Sequence, residues 1–357
     1  MFCCTRTCVP CRFQRLVRYS VMFLCTVFLL FGAYTLSKWS TSCHNTTFSD
    51  FQFLTSHDKF ATTTNLDKDK ARIYTLKNNE TLTKLLIRNG DICAEKRIDF
   101  IIYIESHWIN VERRRSIRET WIGAKLLPDI IVKSVFILGK PSSRTDQVKI
   151  NNENLIHSDI VQGDFIDSFQ DLTMKSIIAL EWIYHHCRQA KFVLKADDDI
   201  FVDMFKVVNI LLPSLRNESR HIVGGVKEEN ASIVVGEKRS HWYIPDHIFP
   251  QRTHLSRFCI GYFVIMTSDL VPELVTASGS AQYTPVDDAN LFRLLPQTLV
   301  NVTYTDISRN ITLDDDFALD SFFSGNDFHL IAVGAGKEDY MEFIWREVIL
   351  HRHKGIL

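Results

Sequence analysis

The chain has no surplus of either charge. Its 41 Lys and Arg residues stand against 42 Asp and Glu, a formal net charge of −1 over 357 residues. A near-neutral chain exerts no global pull on nucleic acid or anionic lipid, so a nucleic-acid role has no support. Glycine (14) and proline (9) are too sparse for low complexity, and no internal repeat appears. What is abundant is apolar: 46% of residues, 25 of them Phe, enough for one large core or two ordinary ones.

Two further absences bear on topology. No acidic residue precedes Tyr19, although Arg6, Arg12, Arg15 and Arg18 do, and no charged residue occurs from Tyr19 to Ser37. A run of that kind is long enough to span a bilayer, which needs about 20 residues. The positive-inside rule then predicts a cytosolic tail (1–18), a transmembrane signal-anchor (19–37), a luminal stem (38–92) and a luminal catalytic domain (93–357). The run exceeds the usual signal-peptide core of about 7–15 residues and no clean small-x-small cleavage site follows it, so a cleaved signal peptide is the weaker alternative. The expectation is a single-pass type II membrane protein. The six N-x-S/T sequons, at Asn45, Asn79, Asn217, Asn230, Asn301 and Asn310, all follow the run and agree with a glycoprotein body.

The nine cysteines divide along the same lines. Cys3, Cys4, Cys8 and Cys11 lie in the tail, where palmitoylation is plausible. Cys8-x-x-Cys11 lacks the second pair that a zinc site needs. Cys43, Cys93, Cys187 and Cys259 could form disulfides in an oxidising lumen, with three pairings open.

Beyond the Thr-, Asn- and Lys-rich stem, short apolar runs alternate with helical patterns. Strands are expected at 100–104, 132–138, 191–196, 222–226 and 258–266, and helices at 111–122, 172–186 (with Asp171 as N-cap) and 203–215. The order β-α-β-α indicates an α/β sheet, in which ligands bind beyond the carboxyl ends of strands. At one such end stands Asp197-Asp198-Asp199, directly after Phe192-Val193-Leu194-Lys195-Ala196. Three adjacent carboxylates repel one another, and a divalent cation bridging a diphosphate would offset them, because Mg²⁺ and Mn²⁺ accept few protein carboxylates plus substrate phosphates. The bland reading is a solvated acidic turn. The chain holds a second triplet, Asp314-Asp315-Asp316, behind a weaker strand and near a sequon, and there a surface turn is the better expectation.

Four further segments carry a resemblance. Arg114-Arg115-Ser116-Ile117-Arg118-Glu119-Thr120-Trp121 is similar to R-x-x-I-R-x-T-W, and Val135-Phe136-Ile137-Leu138-Gly139 to a V-F-L-L-G strand. The stretch from Asp159-Ile160 through Asp164-Phe165-Ile166-Asp167-Ser168-Phe169-Gln170-Asp171-Leu172-Thr173-Met174-Lys175 resembles D-I-x-x-x-D-F-x-D-S-Y-x-N-L-T-x-K. Lys195 to Val202 resembles K-x-D-D-D-x-F-V. In that order these motifs resemble the β-1,3-galactosyltransferase-like glycosyltransferases, which include β-1,3-N-acetylglucosaminyltransferases. The resemblance implies a GT-A-type α/β domain and inverting transfer of galactose or N-acetylglucosamine from a UDP-sugar, in β-1,3 linkage, to a glycan acceptor on glycoprotein or glycolipid. It implies Mn²⁺ (or Mg²⁺) on Asp197 and Asp199, with Asp198 toward sugar or ribose hydroxyls, and, with the type II anchor, a place in the Golgi membrane.

Arg114, Arg118 and Lys175 become candidate contacts to phosphate or sugar-nucleotide, since guanidinium forks match phosphate oxygens; a solvated helix face is the alternative for the two arginines. Trp121 is better read as core than as a uracil stack. In Val286-Asp287-Asp288-Ala289, Asp288 falls where the family carries its base and Asp287 replaces a Glu; capping of the following helix is the alternative for both. The chain departs from the family in three places. Phe292 stands where members have glycine, the Y-x-S-G-x-G-Y segment is reduced to Phe258-Cys259-Ile260-Gly261-Tyr262-Phe263, and counting back eleven from Trp345 to a family histidine gives Gly334, with His329 nearby. These departures keep two rivals open, a catalytically weak sugar-binding or chaperone-like member and a metal-dependent phosphohydrolase. A homodimer is compatible with the chain, but the sequence does not decide the assembly.

Overall fold

A computed structural model of the chain describes residues 84–123, 127, 129–227, 231–232, 254–255, 257–279, 287, 291, 299–326, 329–337 and 339–353. All of them belong to one unit, Lys70–Leu357. The strands in chain order are β1 (Leu85–Ile87), β2 (Ile98–Glu105), β3 (Val132–Lys140), β4 (Ile160–Ile166), β5 (Ala190–Asp197), β6 (Ile200–Val202), β7 (His221–Lys227), β8 (Ala231–Ser232), β9 (His254–Leu255), β10 (Phe258–Thr267), β11 (Thr303–Asp306), β12 (Ile311–Thr312) and β13 (Ala332–Gly334). The principal helices are α1 (Val111–Glu119), α2 (Arg144–His157), α3 (Leu172–His186), α4 (Val271–Ser278), α5 (Asp315–Ser324) and α6 (Tyr340–His353).

Eight strands form one mixed sheet in the order β1-β4-β3-β2-β5-β10-β7-β11. The strands β4, β3, β2 and β5 run parallel to one another, whereas β10 is antiparallel to both β5 and β7. β6, β12 and β13 make a second, three-stranded sheet. The mixed α/β class expected from the alternation of runs is therefore present.

Every residue of β2 is buried, as expected for a strand covered on both faces. The two-residue period sends Phe100, Ile102 and Ile104 into one core with Phe136, Leu138, Phe192 and Leu194, and Ile101 and Tyr103 into the other with Val135, Ile137 and Val193. The first core is closed by Ile117 of α1, Ile150 of α2 and Ile344 and Val348 of α6; the second is closed by Ile177, Leu180, Trp182 and Ile183 of α3 and by Leu274 of α4. Each fully buried large aliphatic side chain stabilises this arrangement by about 1.5–3 kcal/mol over an exposed one.

The expected helix at 172–186 coincides with α3, but Asp171 does not cap it through its side chain; its carboxylate accepts from Ser168 Oγ at 2.6 Å instead. The expected helix from 203 to 215 is present in three pieces, Met204–Lys206, a π-type turn Val207–Leu211 and Leu212–Leu215, with Asp203 capping it by accepting from the backbone N–H groups of Phe205 and Lys206. The second acidic triplet is a helix start rather than a plain surface turn: Asp314 Oδ1 accepts from Phe317 N at 2.9 Å and caps α5. Ordered structure also begins ahead of residue 93. Leu85 and Ile87 pair with β4, and the turn Gly90–Cys93 is fixed to the end of α3 by a Cys93–Cys187 disulfide. That bond joins two of the four cysteines whose pairing the sequence left open, Cys259 is buried in β10, and Cys43 lies outside the described residues.

The membrane-anchored architecture requires correction. Among the described residues no helix is long and apolar enough to cross a membrane. The longest, α3, has 15 residues, or about 22 Å at 1.5 Å per residue, short of the roughly 30 Å of a hydrocarbon core; it also carries Lys175 and Glu181. The predicted signal-anchor at 19–37, with its tail and the stem to residue 83, lies outside the described residues. The transmembrane helix, the single-pass type II topology, the membrane as partner and the Golgi-membrane location therefore have no support in the structure.

The disulfide closes a loop of 94 residues in sequence separation. Replacing Cys93 and Cys187 together by Ala is expected to lower unfolding free energy by about 2–4 kcal/mol, chiefly by freeing the unfolded chain. Urea denaturation of the two proteins, each fitted with its own m-value, checks this.

Candidate functional site

The parallel half of the sheet brings the carboxyl ends of β2 and β5 together. Glu105 and Asp197 stand opposite each other in register, and Asp198 N donates to Glu105 O at 3.2 Å. The acidic triplet follows at once in the tight turn between β5 and β6. Its members have different surroundings. Asp198 is 5% exposed, and both of its oxygens are engaged, Oδ1 by Arg113 Nη1 at 3.0 Å and Oδ2 by Asn110 Nδ2 at 2.9 Å. The Asp197 and Asp199 side chains are 37% and 46% exposed. Asp197 Oδ1 accepts from Lys195 Nζ at 2.8 Å, and Asp199 Oδ2 lies 3.4 Å from Arg113 Nη1.

Beneath the turn is a buried ionic cluster. Lys195, 1% exposed, donates to Asp197 Oδ1 and to Gly261 O at 2.8 Å, and its ammonium lies 3.1 Å from Asp287 Oδ2 and 3.5 Å from Glu105 Oε2. Ser176 Oγ of α3 donates to Glu105 Oε1. One ammonium thus faces three carboxylates. Burial raises the Glu105 carboxyl to about 8, against the pull of Lys195 and helped by repulsion from Asp287 and Asp197. Asp197 is raised for the same reasons, burial first. Although burial disfavours the Lys195 ammonium, Asp197, Asp287 and Glu105 together hold it charged far above the ordinary lysine range. Asp199 is pushed up to about 7 by burial and by repulsion from Asp197 and Asp198. Half of its side chain is accessible, so the burial acting on it comes from the crowded turn beneath.

The three cations proposed from the motifs lie elsewhere. Arg114 is fully buried and all five of its N–H groups are used: Nε and Nη2 to the two oxygens of Glu153, Nη1 to Ser106 Oγ and His107 O, and Nη2 also to Trp108 O. Arg118 pairs with Asp159 and Glu153 and stacks over Phe136, 4.7 Å from the ring centroid. Lys175, 3% exposed, donates to Ser106 O at 2.8 Å and pairs with Asp167 Oδ1 at 2.6 Å. Asp167 Oδ2 accepts from Trp108 N and Gly139 N, and Gly139 must lack a side chain because a Cβ there would stand 2.8 Å from the Asp167 backbone. The arginine face of α1 is therefore neither solvated nor presented to the site. It fixes the 106–108 loop, which borders the triplet. Trp121 is core, 3% exposed. Asp288 lies outside the described residues, whereas its neighbour Asp287 is buried on Lys195.

Arg113, which no motif singled out, is the cation that reaches the triplet. Geometry also revises the position of the missing third ligand. A side chain at Gly334 would meet Leu313 O at 2.7 Å and the Asp315 carboxylate, because β13 pairs with β6 and turns this position toward the start of α5. Gly336 is the position that faces Asp199, 3.4 Å from its Cβ. Ala335 N donates to Asp199 O at 2.7 Å and Lys337 pairs with Asp316 at 2.6 Å, so the second triplet helps to hold the loop that walls the first.

Among the described residues no group of three His, Cys, Asp or Glu side chains is arranged to hold a metal. The donor set on offer is two partly exposed carboxylates, Asp197 and Asp199, each with one oxygen engaged by a cation, Lys195 and Arg113 respectively, and the other open. That fits a hard cation completed by substrate phosphates better than an all-protein cage.

The matched family model is Galactosyltransferase, over residues 112–306, more than half of the chain. The chain belongs to that family and is classed with it as a glycosyltransferase. It is 33% identical over 194 residues to Beta-1,3-galactosyltransferase 1 of Mus musculus, covering 54% of this chain and 58% of the relative. It is 27% identical over 196 residues to Beta-1,3-galactosyltransferase 5 of Homo sapiens (55% and 62%) and 28% identical over 222 residues to UDP-GalNAc:beta-1,3-N-acetylgalactosaminyltransferase 1 of Homo sapiens (60% and 65%). The match spans less than two thirds of the length of each of these relatives.

Two outcomes follow from the buried cluster. Lys195→Met leaves Asp197 and Asp287 without their cation and is expected to cost about 3–5 kcal/mol in denaturant unfolding. Glu105 has its ordinary value of 4.5 raised to about 8 in the fold. Between those values the unfolded chain has lost the proton that the folded protein keeps, so this group makes stability fall as pH rises from about 4.5 to 8 and level off above. Glu105→Gln removes that slope, and the difference between the two stability profiles over this window is the measurement.

Proposed function

We propose that this protein transfers a hexose from a UDP-sugar, with inversion and in β-1,3 linkage, to a hydroxyl of a glycan acceptor on glycoprotein or glycolipid. The observation that carries the reading is the asymmetric triplet: one carboxylate locked inside the protein and two turned outward at the carboxyl end of a central strand, where α/β sheets bind ligands. The names of the three relatives share the β-1,3 linkage and differ in sugar, which supports the linkage more than the donor. Galactose and N-acetylglucosamine remain the donors proposed from the motifs.

Asp197 and Asp199 would hold Mn²⁺ or Mg²⁺. When bound, such an ion acts as a Lewis acid on the departing diphosphate. Asp198 would keep Arg113 and Asn110 in place beside the turn. Asp288 is the proposed base: it takes the proton of the acceptor hydroxyl as that oxygen bonds to the anomeric carbon and UDP leaves with the electron pair of the broken bond. Asp287, anchored on Lys195, would fix the segment that carries Asp288, so one buried ammonium supports both the donor turn and the acceptor side. The bare Gly336 beside Asp199 favours a second reading, a member that binds nucleotide sugar with little turnover.

Full-length protein with Mn²⁺ and UDP-galactose or UDP-N-acetylglucosamine, assayed for UDP release with and without a panel of glycan acceptors, tests both. Acceptor-dependent release with one donor is expected. Asp288→Asn should reduce it by about 10²–10⁴-fold, the usual share of a general base, while UDP still binds. UDP binding with no acceptor-dependent release from any donor would leave the binding-only reading.

A further inference from the structure

We propose that Arg113 is a tethered cation of the donor site, offering N–H groups to the diphosphate of the nucleotide sugar and competing with the divalent ion for Asp199. The proposal rests on the reading of this turn as a donor site.

Arg113 differs from the other cations of α1. Arg114 and Arg118 are 0% and 11% exposed and pair with carboxylates inside the fold. Arg113 is 28% exposed, and its guanidinium lies over the mouth of the triplet. Nη1 donates to both Asp198 Oδ1 and Asp199 Oδ2, and one Nη2 N–H donates to Gly336 O at 3.3 Å. Its Nε–H and second Nη2–H have no acceptor among the described residues. A guanidinium with two donors left over, beside two half-exposed carboxylates, can take a phosphate oxygen pair without leaving its own partners.

Gly336 borders this placement and leaves it uncrowded. A Cβ at that position would stand 3.7 Å from Arg113 Nη2 and 3.4 Å from Asp199 Cβ. A larger side chain there would grow into the space between the guanidinium and Asp199. The chain has an arginine where a third protein ligand could otherwise approach. Because Arg113 and a divalent ion share Asp199 and carry the same sign of charge, each must weaken the hold of the other, and by linkage the effect is reciprocal. Arg113 thereby lowers the metal requirement of nucleotide binding.

The test uses full-length wild type, Arg113→Gln and Arg113→Lys. Mn²⁺ affinity is read from the electron-paramagnetic-resonance signal of free Mn²⁺, and UDP affinity from calorimetry with Mn²⁺ and with EDTA. Arg113→Gln should bind Mn²⁺ about tenfold more tightly and, in EDTA, UDP at least about tenfold more weakly, within the ordinary range of coupling between sites. Arg113→Lys keeps the charge and loses the fork, so it should fall between the two. Wild type should bind UDP in EDTA within about tenfold of its affinity in Mn²⁺; this needs no variant and holds the proposal to account if Arg113→Gln does not fold. Unchanged Mn²⁺ and metal-free UDP affinities in Arg113→Gln, or a collapse of wild-type UDP binding in EDTA, would overturn the role of Arg113 and leave the donor site standing. Failure of wild type to bind UDP even with Mn²⁺ would remove the donor site itself, and this proposal with it.

Discussion

The rest of the site depends on the buried ammonium of Lys195. It is the common partner of Asp197 at the end of β5, Glu105 at the end of β2 and Asp287 in a segment distant in sequence. Without a cation at this point, three carboxylates would share one desolvated space, a state that proteins avoid by neutralisation or rearrangement. The residual imbalance is handled in two ways. Burial and the neighbouring carboxylates push the Glu105 carboxyl up to about 8, and Gly261 turns a carbonyl toward the ammonium. That carbonyl is available because the pairing of β10 with β7 shifts register between Ile260 and Val264. An interruption in the sheet thus supplies a ligand to the charge cluster.

A good part of this arrangement was legible in the sequence. Apolar runs at 100–104, 132–138 and 191–196 become the central strands β2, β3 and β5, with β2 buried throughout and β3 and β5 over most of their length, as a parallel sheet covered on both faces requires. The triplet Asp197-Asp198-Asp199 falls where the pattern put it, at the carboxyl end of β5 and in the turn to β6. Side-chain direction was less legible. Arg114 and Arg118 are spaced as a helix face, but spacing does not tell a solvated face from one turned inward onto Glu153 and Asp159, which lie far away in sequence. Arg113, one residue away and outside the motif, reaches the triplet because a helix turns about 100° per residue.

Counting residues back from Trp345 also misplaced the bare position. A count cannot see that β13 directs Gly334 toward α5 and leaves Gly336 beside Asp199. The second acidic triplet shows the same limit from another side. Its composition matches the first, but Asp314 meets the backbone N–H of its own helix while Asp316 meets Lys337 and Tyr340. Identical residues serve as a cap in one place and a charged mouth in the other. The difference lies in which donors the fold brings to them.

The change of direction at β5 has a consequence of its own. On one side of this strand the neighbours run parallel and are joined by helical crossovers; on the other, β10 runs antiparallel and the chain returns through long connections. A crossover cannot lengthen without moving a helix packed on the sheet, whereas a connection between antiparallel strands can grow or shrink outside the core. The seam therefore separates strands joined by helices packed on the sheet from a half in which β10 lies antiparallel between β5 and β7. Lineages could retain one nucleotide-binding turn and diversify what meets it across β10, with the ammonium at the seam as the fixed point between them.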